Sequence, residues 1–115
     1  MSARHNKYGA KPQVVDGVRF DSRREANRWV YLSIRARMGE ILELERQVRY
    51  ELAPSVRIAG EKRARPALRF TADFRYRDQV TGDVIVEDAK GKADTAFRIR
   101  QHLMKSVHGI DVRLT

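Results

Sequence analysis

The chain predicts an α/β fold with a mixed central sheet in the order α-β-β-β-α-β, preceded by an N-terminal β-hairpin. Three observations carry this. Apolar residues recur at helical spacing between Ser22 and Gly39 and again between Asp94 and Gly109. Two apolar runs rich in β-branched and aromatic residues, Leu68–Tyr76 and Val84–Val86, flank the turn sequence Thr81-Gly82-Asp83, which suggests a second hairpin. Finally, 115 residues with 42% hydrophobic content support one compact domain over 13–115 with a modest core, and no second one.

The elements follow in order. Residues 1–12 are polar, basic and punctuated by Gly9 and Pro12, and read as a flexible arm able to touch phosphates. Gln13–Phe20 reads as a small hairpin turning at Asp16-Gly17. Ser22 opens a helix to about Met38, stopped by Gly39, with Ala26, Val30 and Ile34 on one stripe and Trp29, Leu32 and Ala36 beside it. A first core strand is expected near 47–52, ended by Pro54. The segment Arg57–Pro66 carries Lys62, Arg63 and Arg65 and reads as a basic loop or hairpin tip able to contact a duplex. Strands near 68–77 and 83–90 follow, then a helix over 94–108 and a last short strand over 110–114. In that second helix Ala96, Ile99, Leu103 and Val107 form the expected core face with Phe97 and Met104, while Arg98, Gln101 and Lys105 share another face that could lie along a phosphate backbone.

Charge narrows the partner. Lys and Arg total 24 against 15 Asp and Glu, a net charge of +9. That surplus, mostly arginine, is the footprint of a polyanion binder, and nucleic acid is the leading partner over a membrane or acidic protein surface. Zero cysteines exclude disulfides, a thiolate nucleophile and Cys-based zinc sites. No apolar run approaches a transmembrane length and the N-terminus lacks the apolar core of a signal peptide, so the protein is expected to remain in the cytoplasm where it is made. His5, His102 and His108 show no paired metal spacing.

The chemistry concentrates in Val84-Ile85-Val86-Glu87-Asp88-Ala89-Lys90-Gly91. In a strand, alternate residues share a face, so Asp88 and Lys90 project together. Across the hairpin lies Asp73, at the centre of Leu68–Tyr76. Two carboxylates and a main-chain carbonyl are hard oxygen ligands suited to Mg²⁺, with Mn²⁺ sharing the preference. A lysine beside them suits hydrolysis of a phosphodiester. Read alone, an Asp-x-Lys is more often a salt bridge at a sheet edge. Glu25 also has two readings: with Ser22 it fits a capping box, and one turn into the helix it is also placed to join the acids.

These residues in this order resemble the PD-(D/E)xK nuclease superfamily, with its restriction-endonuclease-like core. More narrowly, Lys7-Tyr8-Gly9-Ala10, Phe20–Ala26, Thr71–Phe74 and Val86–Gly91 are similar to a small phage and prophage family of unknown function placed among such nucleases, related to Holliday junction resolvases and to the cutting subunit of some transposases. The resemblance implies a Mg²⁺-dependent DNA endonuclease, with branched DNA among its substrates. It implies that Asp73, Asp88 and the Ala89 carbonyl hold the metal, that Lys90 is the catalytic lysine, and that Glu25 is a further ligand or water-positioning acid. Arg23, Arg24 and Lys92, close to these positions in sequence, join the expected DNA contacts. Two departures stand: Ala72 replaces the proline that names the superfamily, and Glu87 competes with Asp88, although spacing to the lysine selects Asp88. A non-cutting DNA-binding module and a basic protein-interaction module are the competing readings. Symmetric cutting would suit a homodimer.

Overall fold

A computed structural model describes residues 12–115, so the arm expected at 1–12 lies outside the described residues but for Pro12. The elements are β1 (Gln13–Val15), β2 (Val18–Phe20), α1 (Arg23–Arg37), β3 (Ile41–Ala53), β4 (Leu68–Asp78), β5 (Val84–Asp88), α2 (Thr95–His108) and β6 (Val112–Leu114). The last six build a mixed sheet with two helices: β3, β4 and β5 run antiparallel in sequence, and β6 adds parallel to β5 after the α2 crossover. β1 and β2 form a separate two-stranded hairpin. The class is therefore α/β, as expected.

Local chemistry places the boundaries. At the β1–β2 turn Asp16 and Gly17 both take positive φ, 50° and 77°, which a two-residue hairpin of this hand requires. Ser22 caps α1, its hydroxyl accepting from the Glu25 amide at 3.1 Å, and Asp94 caps α2 by accepting from the Phe97 amide at 2.8 Å. Across the β4–β5 turn the Asp78 carboxylate accepts from the amides of Val80 and Thr81.

Two hydrophobic clusters hold the layers together. One sets Phe97 and Met104 of α2 against Leu52, Phe70, Ala72, Val86 and Val112. The other sets Ala26 and Leu32 of α1 against Phe20, Ile41, Phe74 and Tyr76. Directly paired residues share a face. Phe74 pairs with Glu87 and Arg75 with Val86. Val86 lies under α2 whereas Glu87 bonds Arg28 of α1, so the helices cover opposite faces of β5. The buried residues of β4 pass from the α2 cluster at Phe70 and Ala72 to the α1 cluster at Phe74 and Tyr76, so its inward side changes face at Asp73. Opposite Asp73, between the pairs Arg46–Phe74 and Val48–Ala72, stands Gln47 with a φ of 52°. The sheet turns over at this pair of residues.

Several expectations are corrected. β3 begins at Ile41, well before 47, because the α1 cluster gives its first half a buried residue to anchor. β5 ends at Asp88, so Lys90 lies beyond the strand and alternation does not govern its direction. Of the two apolar stripes on α1, the core takes Ala26 and Leu32 and leaves Val30 and Ile34 exposed at 41% and 46%, a choice the spacing left open. On α2 it takes Phe97 and Met104 and leaves Ile99 and Val107 exposed at 55% and 52%. Each helix carries two apolar stripes, and periodicity alone does not say which one meets the sheet.

Candidate metal and phosphate site

The acids converge where the sheet turns over. Asp73 Oδ2 accepts from the Ala89 amide at 2.8 Å, and Asp88 Oδ1 accepts from the Asp73 amide at 3.2 Å. Each strand thus holds the carboxylate that the other presents. These reciprocal bonds lock β4 to the end of β5 and leave one oxygen on each acid outside them.

Glu25 joins through an intermediary. Its carboxylate is buried, accepting from Gln47 Nε2 at 3.2 Å, while the same nitrogen lies 3.4 Å from Asp73 Oδ1. Arg46 approaches Glu25 at 3.6 Å. The capping box is half made: Ser22 receives the Glu25 amide, while the carboxylate meets Gln47 and so approaches Asp73 through that side chain. The Glu25 carboxyl is pushed up to about 7, first by burial and then by Asp73, against the pull of Arg46. Asp88 is pushed up to about 8 by burial and by the charge of Asp73, with Lys90 opposing. Burial likewise raises Asp73.

Among the described residues, no group of three or more acidic or histidine side chains is close enough together to hold a metal ion. Asp73 and Asp88 form a pair, and Glu25 stands behind Gln47. The donor chemistry of the pair nevertheless fits Mg²⁺ or Mn²⁺. The oxygens are hard, and no cation lies within ion-pair distance of either carboxylate among the described residues.

Lys90 is half-buried, and its ammonium sits 5.4 Å from the centroid of Phe97. It is near enough to Asp88 to oppose the rise of its pKa, but makes no ion pair with it. Glu87, the competing acid, is fully buried on the other face, bonded to Arg28 at 2.9 Å and to the Tyr76 hydroxyl at 2.7 Å. Glu87 thus faces away from Asp73 and Asp88.

The expected phosphate contacts divide. Arg23 and Arg24, beside Glu25 in sequence, and Lys92, just after Lys90, are exposed, and Arg24 lies against Gly91 while donating to the Thr115 carbonyl at 3.4 Å. Lys62, Arg63 and Arg65 are exposed on the β3–β4 connection, although Arg65 is paired with Glu61 at 2.7 Å. On α2, Arg98 is exposed, but Lys105 is bound to Asp111 at 2.9 Å and Gln101 donates to the Val112 carbonyl at 3.1 Å. Gln101 thereby ties α2 to β6. A cavity of about 680 Å³ beside Arg75, Glu45 and Ile110 includes none of Glu25, Asp73, Asp88 or Lys90.

Sequence reasoning missed Gln47 and Arg46. Nothing in the pattern of β3 marks the positive φ that aims Gln47 at two acids, and non-glycine residues seldom adopt it. An α/β protein with an acid pair at the break of a mixed sheet, joined through a glutamine to an acid on its first helix, is the class that fold and site define. Over residues 5–115 the chain matches the model of the family described as "Protein of unknown function (DUF1064)", and it belongs to that family. Comparison with curated proteins and with solved structures found no match.

Proposed function

We propose that the chain is a Mg²⁺-dependent DNA endonuclease of the PD-(D/E)xK type, with a restriction-endonuclease-like core. The observation that carries the reading is the reciprocal bonding that brings Asp73 and Asp88 together, with Lys90 two residues beyond. Asp73, Asp88 and the Ala89 carbonyl are the residues that would hold the ion, with Mn²⁺ as a substitute and Glu25 as an added acid. When bound, such an ion supplies Lewis acidity to a phosphate and offsets the charge of the acids. The chain's own part is to orient the phosphate, to hold Glu25 through Gln47, and to bring the Lys90 ammonium against charge that grows on the phosphate oxygens. The net charge of +9 draws DNA to this surface. Cutting of both strands or of a junction suits a homodimer acting in the bacterial cytoplasm during phage replication or recombination. No helix among the described residues is long and apolar enough to cross a membrane.

A second reading has its own support. Lys90 rests on Phe97 and Glu25 stands behind Gln47, an arrangement that also suits a binding module that keeps the fold without cutting. Cleavage of labelled junction, flap, duplex and single-stranded DNA, with Mg²⁺ or Mn²⁺, decides between them when wild type is run beside Lys90→Ala. Wild type is expected to cut and Lys90→Ala to lose about 100-fold or more. Binding without cutting by both proteins would hand the case to the binding module.

A further inference from the structure

We infer that the β3–β4 connection is a ribbon that enters the groove of duplex DNA about one helical turn from Asp73, so that the substrate must be double-stranded on that side. The inference rests on the nuclease reading for the place of the scissile phosphate.

The connection is an outward continuation of the hairpin. Ala53 pairs with Leu68 at the end of the sheet, and three residues further along each strand Val56 pairs with Arg65 in the same register. Their amides and carbonyls exchange both bonds, at 3.1 Å and 2.6 Å. Beyond this bridge the chain turns through Gly60, whose φ of 88° suits a tight reversal, and the Glu61 amide donates to the Ile58 carbonyl at 3.0 Å. Residues from Pro54 to Gly60 and from Lys62 to Pro66 are all exposed. Neither hydrophobic cluster includes any of them. Such a ribbon adds nothing to the core, yet it is held in one geometry.

Its charge is that of a phosphate contact. Between Pro54 and Ala67 stand four cations against one carboxylate. Glu61 neutralises Arg65, whereas Arg57, Lys62 and Arg63 have no carboxylate at ion-pair distance among the described residues. Arg57 also donates to the Lys62 carbonyl at 3.2 Å, which ties the two legs of the ribbon together.

Length then selects the ligand. Arg65 lies eight residues before Asp73, which at about 3.3 Å per residue is about 26 Å along the strand, and the tip cations lie beyond it. One turn of B-DNA spans about 34 Å, and its major groove, about 12 Å wide, admits a two-stranded ribbon. A duplex laid along β4 with a phosphate at Asp73 offers the ribbon a groove near its tip. A single strand has no groove to offer there.

The test is binding of a blunt duplex and of its isolated strand, followed by fluorescence anisotropy over a salt series in chelator, where nothing is cut. Wild type is compared with Arg57→Ala/Lys62→Ala/Arg63→Ala. The triple variant should lose about tenfold or more in duplex affinity and about two to three in the slope of log affinity against log salt, with the single strand little changed. Unchanged duplex binding overturns the ribbon as an interface, and equal loss for the single strand overturns the duplex assignment. Should the triple variant melt below wild type, Lys62→Ala and Arg63→Ala at the tip are read singly, each for a slope change of about one. Cutting of the same duplex by wild type in Mg²⁺ reads the nuclease assignment separately, so a failed ribbon and a failed nuclease give different patterns.

Discussion

At the scale of single residues, the acids are held in a state that water would not give them. Glu25 and Asp88 carry pKa values pushed up to about 7 and about 8, and Asp73 is raised as well. In the unfolded chain these carboxyls titrate near 4. The folded protein therefore keeps protons that the unfolded chain has released, and the stabilisation these groups give is complete below about pH 4 and is lost as pH rises through about 7 and about 8. In chelator, melting temperature is expected to fall between about pH 5 and about pH 9, and Asp88→Asn should flatten that fall. A wild-type profile as flat as the variant's would show that the carboxyls are not raised. Asp73, Asp88 and Lys90 were legible in the sequence because acid and lysine spacing is linear information. Gln47 was not, because its role depends on a φ of 52° and on a strand pairing that sets it opposite Asp73, 26 positions away in the sequence.

At the scale of elements, the order and the caps were legible and the buried faces were not. Ser22, Asp94, Gly39 and Gly109 announce helix ends through short-range hydrogen bonding and positive φ, which sequence carries directly. The face a helix buries depends on what the sheet presents. α1 turns Leu32 inward rather than Ile34 because Phe20, Ile41 and Phe74 surround it, and because Arg28 must reach Glu87. Leu32→Ala is accordingly expected to cost about 2–5 kcal/mol by denaturant titration, whereas Ile34→Ser, at 46% exposure, should stay within about 0.5 kcal/mol. The reverse order of costs would mean that the Val30–Ile34 stripe, and not Leu32, meets the sheet. Nothing in the spacing of apolar residues distinguishes the two outcomes beforehand.

At the scale of the whole molecule, the change of face at Asp73 means that the two clusters lie on opposite sides of the sheet, and a polar group has to tie α1 to the strand beside the site. Glu87 does so, fully buried between Arg28 and Tyr76, and burial together with this carboxylate pushes the Tyr76 hydroxyl up to about 12. Sequence reading placed Glu87 on the face away from Asp88 but could not supply its partners, since Arg28 lies far off in the chain. A buried carboxylate left without its arginine keeps its desolvation cost and loses the compensating charge. Arg28→Ala is therefore expected to destabilise the protein by about 3–5 kcal/mol, measured by urea unfolding. Removing both charges in Arg28→Met/Glu87→Leu should recover much of that loss, because an apolar pair leaves no charge to solvate, although the Tyr76 hydroxyl then lacks its acceptor. The double-mutant cycle reads the coupling directly: additive losses would mean that the ion pair contributes nothing to joining α1 and β5, and that Leu32 and its neighbours alone hold the helix carrying Glu25 over the acid pair.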